Sequence, residues 1–183
     1  LGSRLSEIKK HAPIIKKTIQ KILEINPNEK FLISKSHNIE KSIYENYFGK
    51  HKNTEIIENN DIYETIDLCK VAVAASGTIT LQIALMKVPM CVFYKISFLT
   101  FFVAKILVKI NYISLVNIIM GNKIIKEFIQ KDANDENLSR EINKLIVDED
   151  YKKNMLKNFL IIEKKLKDYH SKISIYELIN KMF

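Results

Sequence analysis

Two short turns in this sequence carry the residue types that hold anions. Gly2-Ser3-Arg4 stands directly before a helix-forming run, and Ser76-Gly77-Thr78 sits inside "VAVAASGTITLQIALMKVP", residues 71–89. That second stretch is almost free of charge in a chain otherwise crowded with lysine. Small residues let a ligand approach the backbone, hydroxyls add donors, and a helix start offers unpaired N–H groups at the positive end of its dipole. Arg4 adds a guanidinium suited to bidentate contact with phosphate. Two such turns suggest a diphosphate or nucleotide held between them. Each turn also has a plainer reading: Ser76 and Thr78 are ordinary helix caps, and Arg4 is an ordinary solvated residue.

Composition narrows the classes. The chain has 183 residues, 47% hydrophobic, with four Gly and three Pro, which describes one globular, core-bearing domain. It carries a formal charge of +8, and the pI is near 9.3. Of the 29 basic residues only Arg4 and Arg140 are arginine, a bias expected of an AT-rich coding sequence. No basic stripe interleaved with stacking aromatics and no finger motif appears, so a nucleic-acid partner is not expected. Cys69 and Cys91 lie in apolar strand-like runs without a CxxC partner, which predicts buried free thiols in a reducing compartment. His11, His37, His51 and His170 are scattered without ligand spacing, so no metal is expected. The chain opens on Leu1, which suggests a piece of something longer.

The elements that would position the two turns alternate. The 3.6-residue spacing of Ile8, Ala12, Ile15, Ile19 and Ile22 predicts an amphipathic helix over 5–24, kinked at or starting near Pro13. Short apolar runs at 30–36, 54–59, 71–75 and 89–95 read as strands. Helices are predicted over 39–50, stopped by Gly49, over 61–70, capped by Asp61, and over 79–87. Alternating strands and helices with short connections predict an α/β fold: a Rossmann-like parallel sheet with helices on both faces. Ser76-Gly77-Thr78 then falls at the carboxyl end of a strand, where open α/β sheets bind ligands. Beyond residue 121 the pattern reads as helix only, with Asp132 and Asn134 as cap candidates. The division expected is 1–150 as the ligand-binding domain and 151–183 as an all-helical tail. Residues 96–120, broken by Lys105 and Lys109, have two readings: a buried helix and strand, or an apolar face on a bilayer surface with its lysines snorkelling.

Three ordered motifs carry a resemblance. "GSRxxEI" near the start, "ASGTxTLxxALxxVPMxVxYK" over 75–95 and "LVKINYISLVNIIMGNKIIKEFIQ" over 107–130 resemble the carboxyl-terminal half of the lipid-A-disaccharide synthase family. The resemblance implies the donor-binding domain of a GT-B glycosyltransferase, with tail helices packing towards an amino-terminal domain that this sequence lacks. It implies an inverting transfer that joins UDP-2,3-diacylglucosamine to 2,3-diacylglucosamine 1-phosphate, an acylated acceptor, and releases UDP without metal or cofactor. The anionic membrane at the cytoplasmic face of the inner membrane of a Gram-negative bacterium would be the peripheral docking surface, and a homodimer is a further implied partner.

Carried over position by position, Gly2, Ser3 and Arg4 match the family's GSR loop, with Arg4 neutralising the departing UDP. Ser76, Gly77 and Thr78 match the diphosphate turn. Tyr94 and Lys95 match an aromatic-basic pair in which arginine is usual at the second place. Asn117 and Gly121 match an "SLPN" segment and the glycine after it, and Glu127 and Gln130 match polar positions that would face the sugar. Gln82 stands where a ribose-binding glutamate is usual, Val116 replaces a proline, and Asn122 replaces a basic residue. The general base would belong to the absent half, so this chain is expected to bind UDP or the UDP-sugar but not to transfer alone. The alternative is a non-catalytic UDP-binding or membrane-surface module from a truncated or split gene. A different UDP-sugar enzyme, such as an epimerase, suits the apolar segment at 96–120 less well.

Overall fold

The structure, a computed structural model, describes residues 1–58, 62–75, 77–95 and 112–170. Helix α1 (Leu5–Ile25) leads into β1 (Phe31–Lys35), α2 (Lys41–Phe48) and β2 (Thr54–Glu58). Then come α3 (Ile62–Asp67), β3 (Ala72–Ala74), α4 (Ile79–Leu85) and β4 (Met90–Tyr94). After them follow α5 (Leu115–Met120), β5 (Glu127–Ile129), a 3-10 turn (Gln130–Asp132), α6 (Asp135–Val147) and α7 (Glu149–His170). Among the described residues all strand pairs are parallel, as the alternation predicts. The strands form two groups: β1 with β2, and β3-β4-β5 in that order.

β4 sits at the centre of its sheet and is buried on both faces, so its side chains divide between two cores. Cys91 and Phe93 point into a core built from α1, α2 and the first half of α6; Met90 and Val92 point into one built from α4, α5 and α7. This two-sided burial explains why "PMCVFYK" reads as a continuous apolar run instead of an alternating one. The stripe of α1 (Ile8, Ala12, Ile15, Ile19, Ile22) is buried as its spacing requires. In α7, Met155, Phe159 and Ile162 complete the second core.

Several expectations are corrected. Helix α1 runs from Leu5 through Pro13, so the proline is not its start; the ring lies on the exposed face, where only one carbonyl loses its partner. The chain beyond 121 is not purely helical: Glu127–Ile129 is a strand that pairs with Val92–Tyr94. Ile124, Ile125, Phe128 and Ile129 imitate a helical spacing, and three residues are too few to show a two-residue period. Cys69 is not in a strand but follows α3, where its thiol donates to the Thr65 carbonyl and is only half-buried. Gly49 and Asn134 do close α2 and open α6 as expected. Asp61 and most of the 96–120 segment lie outside the described residues.

Candidate functional site

The first turn is built around a glutamate. Gly2 takes φ +106°, and a Cβ there would stand 2.5 Å from the Glu7 carboxylate, so only glycine lets that carboxylate fold beneath the loop. Buried Glu7 accepts from the Ser3 N–H at 3.0 Å, the Arg4 N–H at 3.3 Å and the Tyr94 hydroxyl at 3.0 Å. The Arg4 guanidinium stands 3.5 Å from the same carboxylate, but its side chain is 75% exposed. The amides of Ser3 and Arg4 are therefore already taken by the protein's own anion, while the guanidinium remains accessible. Burial, then the bond to Glu7, raises the Tyr94 pKa, so its hydroxyl stays a donor.

His11 ties this turn to the end of β4. Its Nδ1 lies 2.7 Å from the Leu1 carbonyl, and its Nε2 lies 3.0 Å from the Lys95 nitrogen and 3.1 Å from the Lys95 carbonyl oxygen. A proton on Nδ1 serves Leu1 and lets Nε2 accept from the Lys95 N–H; a proton on Nε2 would serve the Lys95 carbonyl instead. Burial lowers the His11 pKa, which favours the neutral ring, and the ring packs on Phe93 at 4.6 Å. Lys95 thus enters through its backbone, which fixes where its side chain departs.

The second turn ends β3 and starts α4. Ser76 lies outside the described residues. Gly77 has φ +97° with open space where a Cβ would be, and its carbonyl accepts from the Thr80 hydroxyl at 2.8 Å. Exposed Thr78 occupies the cap position of α4 without a side-chain cap bond. Gln82, one turn further, donates to the Tyr63 hydroxyl at 3.1 Å.

A third group bonds mainly within itself, and its Ser114 also bridges in parallel to Gly77 of the second turn. Asn117, wholly buried on α5, donates to the Ile125 carbonyl and to Glu127, and accepts from the Ile124 and Ile125 amides at 2.7 and 3.0 Å. Glu127 in turn accepts from the Ile113 and Ser114 amides, the Ser114 hydroxyl and Asn117. Gly121 ends α5 in the left-handed conformation at φ +68°. Gln130, just past β5, takes φ +54°, a conformation that costs a non-glycine residue about 1–2 kcal/mol.

Parallel strands put their carboxyl ends on one edge, and there the first two turns meet. A cavity of about 1160 Å³ is lined by Gly2, Ser3, Arg4, Gly77, Thr78 and Tyr94, and it continues between β1 and β3. Gln82, Lys95, Asn117, Gly121, Glu127 and Gln130 do not line it. Glu7 and His11 are the organising residues that sequence reasoning passed over. Glu7 stood inside the "GSRxxEI" motif without a role, and the signal for it was a carboxylate one helical turn past two small residues. Among the described residues no cluster of His, Cys, Asp or Glu suits a metal ion, and no helix is long and apolar enough to cross a membrane.

Comparison with known proteins extends this picture. In Syntrophotalea carbinolica a lipid-A-disaccharide synthase is 31% identical over 90% of this chain and 42% of its own length. The corresponding protein of Acinetobacter baylyi is 37% identical over 86% of this chain and 42% of its own. For lipid-A-disaccharide synthase 1 of Legionella pneumophila the values are 30%, 97% and 46%. The chain thus spans under half the length of these relatives. A crystal structure described as a UDP-N-acetylglucosamine 2-epimerase of Listeria monocytogenes shares the fold, with a TM-score of 0.55 at 14% identity over 79% of this chain and 34% of that one. The family described as Lipid-A-disaccharide synthetase matches residues 1–178. With a match that runs from the Gly2-Ser3-Arg4 turn into the last helix, this chain belongs to that family.

Proposed function

We propose that this chain is the sugar-nucleotide-binding half of a glycosyltransferase of lipid A biosynthesis. The reaction joins UDP-2,3-diacylglucosamine to 2,3-diacylglucosamine 1-phosphate and releases UDP. The observation that carries the reading is the cavity mouth, where the Gly2–Arg4 and Gly77–Thr78 turns converge under an exposed guanidinium. As the bond from the sugar to the diphosphate breaks, negative charge develops on the leaving oxygen. Arg4 is the cation placed to neutralise it, and stabilising developing charge is commonly the largest catalytic effect. The Gly77 turn leaves room for the diphosphate beside the backbone, with Ser76 and Thr78 adding hydroxyls. Tyr94 lines the same mouth with its hydroxyl tied to Glu7, and Gln82 takes the place of a ribose-binding carboxylate. Asn117, Gly121 and Glu127 act one step back, by fixing the loop that carries Ile113 and Ser114.

The acyl chains of such a substrate reside in a bilayer. Residues 98–102, "FLTFF", with Lys105 and Lys109 after them, would dock the protein peripherally on the anionic inner face of the inner membrane. The general base would come from the other half of the enzyme, so this chain binds the donor without transferring it.

Calorimetric titration of UDP into the 183-residue chain tests the reading. Binding in the micromolar to millimolar range, weakened roughly tenfold by Arg4→Ala and by Thr78→Ala (about 1.4 kcal/mol each) with the melting temperature unchanged, is expected. A folded chain that binds no UDP, or whose binding ignores both substitutions, would overturn it.

A further inference from the structure

Two polar side chains of the cavity mouth have no part in the reading above. Ser36 and His37 directly follow β1, and they line the same mouth as the Gly2–Arg4 and Gly77–Thr78 turns. Their turn is fixed from behind. The Ser36 N–H donates to the hydroxyl of buried Tyr44 on α2 at 3.0 Å, and the Ile39 N–H donates to the Ser36 carbonyl at 3.2 Å. Buried Ile39 anchors the far end, where its carbonyl accepts from Lys35 Nζ at 3.3 Å. Among the described residues, neither the Ser36 hydroxyl nor the His37 ring has a hydrogen-bond partner. The backbone of this turn is thus ordered before any ligand arrives, and its side chains are left to meet one.

The outline of the cavity decides which part of a ligand they meet. From the two anion-suited turns it extends towards β1 and towards Ile62 at the start of α3; Lys95, Glu127 and Gln130, on the β4–β5 side, stay outside it. Its charged lining lies away from this arm. Arg4 and Glu7 belong to the first turn, and Glu29, Lys30 and Lys70 stand at the amino ends of β1 and β3, where Lys70 pairs with Glu29 at 3.1 Å. The arm therefore offers apolar contact from Ile62, one hydroxyl and one imidazole, which suits a flat, uncharged ring with donors and acceptors on its edge. In a transfer reaction the sugar must stay open to the acceptor, whereas the nucleoside serves only to anchor the donor. The enclosed arm is then the nucleoside's place. We infer, on the donor-binding reading proposed above, that Ser36 and His37 read the edge of the pyrimidine base and set its identity. The uracil edge offers carbonyl acceptors on either side of one N–H, which a hydroxyl and an imidazole complement. Cytosine replaces that N–H by an acceptor and one carbonyl by an amine. A site built on hydrogen bonds rejects such an analogue more strongly than an apolar pocket does.

The test is calorimetry on the 183-residue chain with UDP, CDP and inorganic pyrophosphate, the melting temperature being followed for each variant. Ser36→Ala and His37→Ala are each expected to weaken UDP about tenfold and to leave pyrophosphate within about twofold. Both are also expected to shrink a preference for UDP over CDP that is about tenfold in the unaltered chain. Ser36→Thr, which keeps the hydroxyl, should bind UDP within about threefold of the unaltered chain. Arg4→Ala should weaken all three ligands. Equal losses of UDP and pyrophosphate in the alanine variants would overturn the inference, because the turn would then hold the diphosphate. UDP binding that ignores both alanine variants, or that is no tighter than CDP binding, would overturn it too. In any of these cases a loss of UDP affinity in Arg4→Ala leaves the donor-binding reading standing. A folded chain that binds no UDP overturns the inference and the reading together.

Discussion

Glu7 and Glu127 solve the same local problem at the same edge of the sheet, with opposite consequences. Each is a partly or wholly buried carboxylate that gathers two backbone amides and a hydroxyl: Ser3, Arg4 and Tyr94 for Glu7, Ile113, Ser114 and Ser114 Oγ for Glu127. Around Glu127 the set closes, because buried Asn117 bonds to the carboxylate and spends its own amide on the Ile124–Ile125 backbone. Around Glu7 it stays open, because Arg4 reaches past the carboxylate to solvent at the mouth of the cavity. One carboxylate finishes a loop; the other organises a loop whose cation stays exposed at the cavity mouth.

Replacing Glu127 with Gln breaks the closed side of the comparison and carries the largest effect. The amide offers one oxygen where four donors converge, and with that oxygen kept for Ser114 and Asn117 its NH2 is forced against the Ile113 N–H. With unsatisfied buried donors costing about 1–3 kcal/mol each, the loss is about 3 kcal/mol. That is a fall of roughly 6–12 °C in melting temperature for a chain of this size. UDP affinity of the folded protein is expected to hold within about twofold. The reverse pattern, stability kept and affinity lost, would move Glu127 from the loop into the ligand site.

Glu7→Gln breaks the open side and is expected to read out differently. Fewer buried donors are orphaned, so the stability loss is smaller, about 1–2 kcal/mol. The Gly2–Arg4 turn, however, loses the anion that organises it, and UDP affinity is expected to fall about tenfold. Denaturant melts and calorimetry on the two variants separate the roles. If the two glutamates prove interchangeable in both readouts, the contrast between them is void.

The sequence carried these features unevenly. The two turns, the parallel alternation and the stripe of α1 are local and could be read from residue type and spacing. Glu7 was visible as part of a motif one helical turn past Ser3, yet Tyr94 meets it only through β4, a separation that no periodicity reports. His11 looked like a stray histidine because both its partners are backbone atoms, from Leu1 and Lys95, and backbone atoms leave no trace in composition. The strand at Glu127–Ile129 was hidden by its length. The split between β1 and β3 could not be read at all, since strand order is a property of pairings between distant segments.

The smallest effect sharpens the open side through pH. Folding lowers the pKa of His11, chiefly because burial penalises its charged form. The unfolded chain therefore binds more protons between the folded and unfolded values, so stability rises with pH across a window that lies below 6.5. The melting temperature is expected to climb as pH rises through that window and to level off above it. His11→Gln should remove this climb while costing stability at every pH, because the Leu1 and Lys95 backbones lose their common partner. A climb that survives His11→Gln would mean that the two ends of the Glu7 loop are held by something other than this ring.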